Sequence, residues 1–552
     1  MSPILRTGCL LLLAGVASAC SGAALESTDG AAAKSPGAEG GDGQASNNGF
    51  NPADNGGNNG NNGNNGEYIP EVEERFDFQA PRSSQNFIFV ANSTLDTVSK
   101  INASTLEIVS IESGDRPTLI DTNRTENLAV VLNEGSDELT IIRAGDGDDD
   151  YVHNLRVPAG MNQLALSPRG DYALVWFDFD RAENDDEFDF EDAAPPFQDV
   201  AVVDLTEGAE RSVNLTVGFQ VLEVEFDDAG LTAFVITRTG VSVVVLDEVD
   251  QDGAVPPVPV TDVDAADETD REVEITSDGL FAFVRSAGLE GINVVDLSDG
   301  QVSLVALGGI PTDLDIVPGT HRALAVVRGT SEIVLLDLPE ALNDPEAITI
   351  ISLGDEPAGL AELTPDAKKA LVFTSAEERK AITVVNLEDS TFVTHPLRKG
   401  VRGAVIAPDG QKAVIFHTKM DGDPVAGEPE DDFIAKSHAY SLFELGSGYS
   451  KIETVDAEPG EFAFGDAGDR FYVLLSDEER DVRQVEIVHL DSFRTQTIRL
   501  GSQPEHVGTI PNEGTPKIYI SQEHAVGRMT FIDETSGQVR TVTGFELNSL
   551  IE

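Results

Sequence analysis

The sequence predicts an all-β protein folded as a β-propeller of four-stranded antiparallel blades. One reason is a repeat unit of about 40–50 residues that contains a short turn, an apolar strand, a polar loop and a second apolar strand. Another is that most of these second strands are short, rich in β-branched residues and bounded by turn formers. In addition, no helical period of useful length interrupts the pattern. Short strands repeated at this spacing are typical of propeller blades.

Ten of these units follow one another along the chain. Their opening turns begin at Pro81, Thr122, Ser167, Asp227, Thr276, Val317, Thr364, Ala407, Gly465 and Pro511. Propellers usually close with fewer blades than this. The sequence therefore leaves open a single ring of ten blades, a ring of seven or eight blades, or two smaller rings.

A third strand usually follows, and a Gly-x-x-Pro corner then leads into the next unit. The corner glycines are Gly114, Gly308, Gly354 and Gly501. Glycine permits a sharp change of direction, and proline fixes the entry to the innermost strand of the next blade.

The repeat resembles a known family. The segment Phe89-Val-Ala-Asn-Ser-Thr-Leu-Asp-Thr-Val-Ser-Lys-Ile-Asn102, the Gly-x-x-Pro corner and turns such as Thr364-Pro-Asp-Ala367 are similar to the YVTN-type β-propeller repeat. The resemblance covers about residues 71–552, and units three, four and eight depart from it through insertions. It implies a propeller of a kind common in bacterial surface and secreted proteins, and it implies no particular chemistry.

The N-terminus reads as an export signal over residues 1–19. Arg6 precedes an apolar run that is too short to span a bilayer, and small residues lead to Cys20. This ending resembles the lipobox of bacterial lipoproteins, although Ala17 stands where leucine is usual. The resemblance implies lipidation of Cys20, and the alternative is ordinary cleavage after Ala19.

A low-complexity segment separates this signal from the repeats. Residues 20–70 are predicted to be a disordered tether rich in Gly, Asn and Ser, and residues 71–552 form the propeller domain. By the sorting rule of such lipoproteins, Ser21 implies the outer membrane. The expected location is therefore the bacterial cell envelope, with the lipid as the only membrane contact.

The chain is strongly acidic. It has 36 Lys and Arg against 98 Asp and Glu, a formal net charge of −62. Nucleic acid is therefore excluded as an expected partner, because it requires a basic footprint. The charge favours a cationic envelope protein or polymer, and the alternative is that acidity serves solubility or salt tolerance.

Calcium is the cofactor that the acidic insertions suggest. Carboxylates at alternate positions can converge on one hard cation. The candidate ligands are Asp146, Asp148, Asp150, Asp250, Asp252, Asp421 and Asp423. None of these segments completes an EF-hand, and the alternative is a solvated acidic loop without a defined site.

A candidate binding face is formed by the long loops between the two apolar strands of units three and eight. In propeller topology these loops lie on the same face as the Gly-x-x-Pro corners, about half a ring apart if one ring forms. The candidate residues are Asp178, Asp180, Asp185, Asp186 and Glu187 in the loop of unit three, together with His506 and His524 elsewhere on the same face. Long loops on a rigid scaffold commonly carry binding functions.

Two classes of function follow from these features. The first is a non-catalytic, lipid-anchored scaffold that binds a partner through an acidic loop face, with calcium-dependent surface adhesion as a variant. The second is a lactonase-like propeller hydrolase, in which Glu505, His506, Glu523 and His524 would converge. The sequence assigns no catalytic residue, because it contains no recognisable nucleophile or metal-binding motif.

Overall fold

The computed structural model describes residues 81–147, 149–183, 196–261, 271–356 and 358–545. The described chain folds into ten antiparallel β-sheets that form the blades of one propeller. The predicted fold class and the count of ten units are therefore confirmed, and the alternatives of seven or eight blades or of two rings are wrong.

The strands of blades 1 to 5 are given from the ring axis outwards. Blade 1 has β1 (Arg82–Ser83), β2 (Phe87–Asn92), β3 (Thr97–Asn102) and β4 (Ile108–Glu112), and blade 2 has β5 (Pro117–Asn123), β6 (Leu128–Asn133), β7 (Glu138–Arg143) and β8 (Tyr151–Arg156). Blade 3 has β9 (Gln163–Leu166), β10 (Tyr172–Trp176), β11 (Asp199–Asp204) and β12 (Arg211–Thr216). Blade 4 has β13 (Val221–Phe226), β14 (Thr232–Thr237) and β15 (Gly240–Val245); after β16 (Gly253–Ala254), blade 5 has β17 (Arg271–Ile275), β18 (Phe281–Ser286), β19 (Gly291–Asp296) and β20 (Gln301–Ala306).

The strands of blades 6 to 10 follow in the same order. Blade 6 has β21 (Asp313–Ile316), β22 (Arg322–Val327), β23 (Glu332–Asp337) and β24 (Ile348–Ser352), and blade 7 has β25 (Leu360–Leu363), β26 (Lys369–Phe373), β27 (Ala381–Asn386) and β28 (Thr391–Pro396). Blade 8 has β29 (Val401–Ile406), β30 (Lys412–His417), β31 (His438–Glu444) and β32 (Ser450–Val455). Blade 9 has β33 (Pro459–Phe464), β34 (Arg470–Asp477), β35 (Val482–His489) and β36 (Arg494–Arg499), and blade 10 has β37 (Pro504–Ile510), β38 (Lys517–Gln522), β39 (Arg528–Asp533) and β40 (Val539–Thr543).

Helices are short and lie in connections. The described residues form two α-helices: α1 (Phe179–Glu183), in the long loop of blade 3, and α2 (Glu430–Lys436), in the long loop of blade 8. Single 3-10 turns occupy Leu246–Glu248, Arg328–Thr330, Glu340–Leu342, Pro345–Ala347 and Asn512–Gly514. Among the described residues, none of the helices has the length and apolarity that crossing a bilayer requires.

Apolar packing between neighbouring blades forms the core. Ten clusters of buried side chains are present, one at each boundary between consecutive blades, including the boundary between blades 10 and 1. The middle strands of each blade contribute apolar residues to both of its faces, so their side chains are buried on either side. This explains why the sequence shows continuous apolar runs there instead of strict alternation.

The ring closes by the same kind of packing. Ile88 and Ile101 of blade 1 pack against Phe531 of blade 10, and the hydroxyl group of Ser83 donates a 2.7 Å hydrogen bond to the carbonyl oxygen of Thr509. The Tyr519 hydroxyl group also crosses this boundary. Within residues 81–545, the strands of blade 1 come from the N-terminal side and those of blade 10 from the C-terminal side. Phe545, which follows β40, packs in the same cluster, and its carbonyl oxygen accepts a 2.6 Å hydrogen bond from the hydroxyl group of Ser99 in blade 1.

Glycine serves two different purposes in the repeat. In the first turn of a unit, glycines such as Gly170 and Gly279 have φ values of +75° and +69°, which other residues rarely adopt. The corner glycine Gly114 is different, because a Cβ atom there would lie 2.4 Å from the Oγ atom of Ser136. At this corner the chain needs glycine for close approach to the next blade.

Blade 4 departs from the pattern in its outer part. Its three strands are followed by a bridge between Val241 and Val258, and β16 joins the outer edge of blade 3 in parallel with β12. The insertion that follows β15 thus runs along the rim of the ring between two blades. In its described part, Asp252 lies at this sheet edge, and this placement bears on the calcium prediction.

Candidate functional site

The ring has two ends and an inner wall. We call the end that carries the loops between second and third strands, and the connections between blades, the corner face. The opposite end, the turn face, carries the two hairpin turns of each blade. The inner wall consists of the innermost strands: β1, β5, β9, β13, β17, β21, β25, β29, β33 and β37.

Carboxylates are concentrated on the inner wall of blades 4 to 7. We call this set the inner-wall carboxylates, and its members are Glu223, Glu225, Glu272, Glu274, Asp313, Asp315 and Glu362. Most are half-buried, and the set extends over four consecutive innermost strands. Sequence reasoning missed this set, although a signal existed: four members stand two residues before the opening turn of their unit.

Part of the inner-wall acidity is structural. The Oδ2 atom of Asp313 accepts a 2.7 Å hydrogen bond from the backbone N–H of Ala361, on the innermost strand of the next blade. The carboxylate of Asp121 accepts a corresponding bond from Leu166 in the next blade, at 2.9 Å. An innermost strand has a free edge, and these carboxylates satisfy amide groups that lie along it.

Asp315 lies at the centre of the inner-wall carboxylates. Its Oδ2 atom is buried and makes no hydrogen bond with the described residues. Burial, followed by repulsion from Asp313 and Glu362, raises the pKa of Asp315 well above its ordinary value. The fold therefore holds this carboxyl group where its ionised form is unfavourable.

A Glu–His pair lies elsewhere on the inner wall. The Nδ1 atom of His506 is 2.7 Å from Oε1 of Glu461, and the other oxygen of Glu461 accepts a bond from the backbone of Val507. Burial raises the pKa of Glu505, and the nearby Glu523 adds to this shift. Three of the four residues of the hydrolase hypothesis therefore lie near one another, together with Glu461.

His524 takes a local role. Its Nδ1 atom accepts a 3.4 Å hydrogen bond from the backbone N–H of Val526, within the loop that joins β38 to β39. This long contact orders the loop. Among the described residues, His506 contacts Glu461 and His524 contacts Val526, so the structure does not present the two histidines as a catalytic pair.

The acidic loop of blade 2 encloses a lysine ammonium group. The Nζ atom of Lys100, from blade 1, donates to both oxygens of Asp150, at 2.6 and 2.8 Å, and to the carbonyl oxygens of Gly145 and Gly147. Both members of the ion pair are buried. A carboxylate with converging carbonyl oxygens is the ligand type that calcium prefers, so calcium would compete with Lys100. Asp146 belongs to the same loop, and Asp148 lies outside the described residues.

The rim insertion holds Asp250 and Asp252 against blade 3. The Oδ1 atom of Asp252 accepts a 2.9 Å bond from the backbone N–H of Asn214, and the carbonyl oxygen of Asp250 accepts one from Arg211. These contacts attach the insertion to the edge of a sheet. Asp250 and Asp252 are distant in sequence from the other calcium candidates and lie in a different connection between blades.

The long loop of blade 8 is also organised by cations from the chain. The ammonium group of Lys399 is buried and donates to the carbonyl oxygens of Ile434 and Ser437, at 2.9 and 2.5 Å, at the end of α2. Burial lowers the pKa of Lys399 to about 8. Asp423 pairs with Arg480 of blade 9, at 2.5 Å, and Asp421 lies nearby on the corner face.

The long loop of blade 3 begins with a capping aspartate. Asp178 is buried and accepts a 3.1 Å bond from the backbone N–H of Arg181, in the first turn of α1, while Asp180 lies within that helix. Burial raises the pKa of Asp178. The ring places this loop and that of blade 8 half a turn apart on the corner face.

Several predicted residues cannot be placed. Asp185, Asp186, Glu187 and Cys20 lie outside the described residues. Within the described ranges, no group of three or more His, Cys, Asp and Glu side chains is arranged to hold a metal ion. The calcium site therefore stays a prediction.

Many acidic residues of the turn face have a structural explanation. Asp296 closes a hairpin by accepting bonds from the hydroxyl and N–H groups of Ser298, and the hydroxyl bond holds the pKa of Asp296 below its ordinary value. Hydrogen bonding from Ser536 has the same effect on the pKa of Asp533 in blade 10. The same turn occurs in blade 3, where Asp204 accepts bonds from the N–H and hydroxyl groups of Thr206, so these hairpins account for part of the negative charge.

The chain was compared with known proteins. No family model matches it, and no curated protein sequence matches it. The resemblance to the YVTN repeat and to the lipobox therefore rests on the residues quoted above.

Solved structures give distant similarities only. A eukaryotic initiation factor is 11% identical, with 75% of this chain and 97% of that chain covered and a TM-score of 0.47. The dihydro-heme d1 dehydrogenase NirN is 13% identical, covering 77% and 76%, with a TM-score of 0.41. Apo AztD from Citrobacter koseri is 13% identical, covering 76% and 96%, with a TM-score of 0.36. Similarities at this level carry no argument about function, and the fold class follows from the strand topology.

We expect Lys100→Met to destabilise the ring by about 3–5 kcal/mol, because it leaves the buried Asp150 without its partner. Urea unfolding of the full chain measures the loss. Lys412→Met is the matched control, since Lys412 pairs with more exposed carboxylates and should cost less than about 1 kcal/mol. Equal losses in the two variants would contradict the role given to Lys100.

We expect Asp315→Asn to raise the melting temperature at pH 7 and to leave it unchanged near pH 3.5. The pKa of Asp315 is higher in the folded state than the unfolded value of 3.8. Its contribution to the stability of the fold is therefore fully present below pH 3.8 and is lost as the pH rises through the folded-state pKa. Asparagine stays neutral throughout. Asp296→Asn is the control and should change the melting temperature in the opposite direction. Because the pKa of Asp296 is lowered in the folded state, its carboxylate stabilises the fold above pH 3.8, and this stabilisation is lost as the pH falls. Melting curves between pH 3 and 8 compare the two, and a loss of stability in Asp315→Asn at pH 7 would refute the expectation.

Proposed function

We propose that this protein is a lipid-anchored propeller of the bacterial cell envelope that acts as a non-catalytic scaffold for a cationic protein or polymer. The lipid on Cys20 would hold it to the outer membrane, and residues 20–70 would act as the tether. The propeller would present its corner face and inner wall to the partner.

The observation that carries this proposal is the row of inner-wall carboxylates. Charges that face a confined space with low-dielectric walls focus the local potential, which favours a cationic group that enters the ring. Strands hold the inner-wall carboxylates in place, so a partner would meet a preformed surface. The long loops of blades 3 and 8 stand on opposite sides of the same end and would give further contact area.

The calcium-dependent variant has less support. Lys100 lies within the acidic loop of blade 2, and Lys399 serves the corresponding purpose in blade 8. The ammonium groups of Lys100 and Lys399 are hydrogen-bond donors only, and each occupies a position lined by oxygen atoms. A scaffold whose cations come from its own chain has no need of calcium to order these two loops.

A hydrolase is the second candidate, and the Glu461–His506 contact favours it. A histidine whose Nδ1 atom is bound by a carboxylate can act as a general base through its other nitrogen atom. Glu505, with its raised pKa, would be the general acid. This candidate places the reaction on the inner wall of blades 9 and 10, opposite to part of the inner-wall carboxylates.

Binding to a fluorescent octalysine peptide tests the scaffold proposal. We expect the triple variant Glu225→Gln, Glu274→Gln and Glu362→Gln to bind about tenfold more weakly than the wild type, from about 0.5 kcal/mol for each lost charge. Fluorescence anisotropy at physiological salt measures the affinity. The control replaces three exposed turn-face residues, Glu126, Glu207 and Glu388, by Gln.

The control variant loses the same number of charges and should change the affinity less than twofold. Equal weakening in both variants would mean that net charge alone attracts the peptide, and the inner wall would lose its assigned role. The second candidate would be favoured instead if the wild type hydrolysed a lactone substrate. His506→Gln should then abolish this hydrolysis, and Glu461→Gln should reduce it.

Labelling with a fatty-acid analogue in a bacterial host tests the anchor. We expect the label on the wild-type chain and its loss in Cys20→Ser, because only Cys20 offers a thiol for lipidation next to the cleavage site. Cys9→Ser is the matched control and should keep the label. An unlabelled wild-type chain that is nevertheless cleaved after Ala19 would support ordinary export.

A further inference from the structure

A cavity of about 300 Å³ opens between blades 8 and 9 at the corner-face end of the ring. Its lining includes Arg402, Lys419, Asp421, His438 and Glu458, with apolar surface from Phe416. Small-molecule sites in proteins begin at about this volume and combine apolar surface with a few polar groups.

The base of the cavity is rigid. His417 is buried, and its Nδ1 atom donates a 2.9 Å bond to the carbonyl oxygen of Gly400, so Nε2 accepts the 2.7 Å bond from the hydroxyl group of Ser441. Burial lowers the pKa of His417 to about 4. This side chain is thus a neutral part of the wall with both ring nitrogens occupied.

Other lining groups have unused hydrogen-bonding capacity. Within the described residues, the half-buried imidazole of His438 makes no hydrogen bond, and the carboxylate of Asp421 makes none. The Lys419 ammonium group donates one bond, at 3.1 Å to the carbonyl oxygen of Gly422, and keeps two donors. Arg402 and Glu458 form an ion pair with each other.

The free groups have both signs of charge. Lys419 and His438 provide donors for an anionic group, and Asp421 provides an acceptor for a cationic one. A simple anion would use only the first pair and would stand close to two carboxylates. A molecule that carries both charges would use all three groups, with its apolar part against Phe416.

We propose that this cavity binds a small zwitterion, an amino acid or a short peptide, with its carboxylate at Lys419 and His438 and its ammonium group at Asp421. The site is separate from the inner-wall carboxylates of blades 4 to 7. The site would give the scaffold a small-molecule ligand in addition to its macromolecular partner. This proposal holds whether or not that partner is cationic.

Saturation-transfer NMR of the full chain with pools of the common amino acids and simple dipeptides tests the proposal. We expect transfer to at least one pool member, and at least tenfold weaker binding in Lys419→Met and in Asp421→Asn. Both side chains are exposed, so the variants should melt like the wild type. Lys368→Met, on the turn face, is the matched control and should bind normally.

Derivatives of the bound compound separate the two charges. N-acetylation should remove the contact with Asp421, and amidation of the carboxylate should remove the contacts with Lys419 and His438, each weakening binding at least tenfold. Absence of transfer to every pool member, or binding that is indifferent to both variants, would overturn the proposal. The inner-wall triple variant Glu225→Gln, Glu274→Gln and Glu362→Gln should bind the compound like the wild type, which separates this failure from failure of the scaffold proposal.

Discussion

The structure depends on apolar packing between neighbouring blades, and most of all on the contact that closes the ring. Blade 10 meets blade 1 through Ile88, Ile101 and Phe531, with hydrogen bonds such as Ser83 to Thr509 at the same boundary. Among the described residues, closure uses the same burial of apolar side chains that holds the other nine boundaries together. The relative positions of all ten innermost strands, and thus of the inner-wall carboxylates, follow from this closed arrangement.

Basic residues are scarce in this chain, and several are used inside it. Lys100 holds the acidic loop of blade 2, and Lys399 holds the end of α2 in the long loop of blade 8. Each buried ammonium group donates hydrogen bonds to several oxygen atoms, which is how a buried charge is tolerated. The described parts of the acidic loops of blades 2 and 8 are thereby held by cations of the chain itself.

The sequence predicted the repeat, the strand order within a blade and the turns, because these depend on residues close together in the chain. It could not predict the partner of Asp150, since Lys100 lies one repeat earlier and looks like any lysine of an apolar strand. The inner-wall carboxylates were missed for a related reason. Glu274, Asp315 and Glu362 each fit local strand alternation, and only ring closure brings successive innermost strands side by side.

The same residue type has opposite energetic roles at the two places where this protein concentrates it. On the turn face, Asp296 and Asp533 accept hydrogen bonds that favour their ionised form, so their charge is a consequence of making hairpins. On the inner wall, Asp315 is kept among other carboxylates, where ionisation is unfavourable and its buried oxygen makes no hydrogen bond to any described residue. Charged side chains that oppose stability and close no turn are the ones that a protein retains for its function. Net charge is therefore a poor guide to the binding surface proposed for this protein, and the unfavourable part of that charge is a better one.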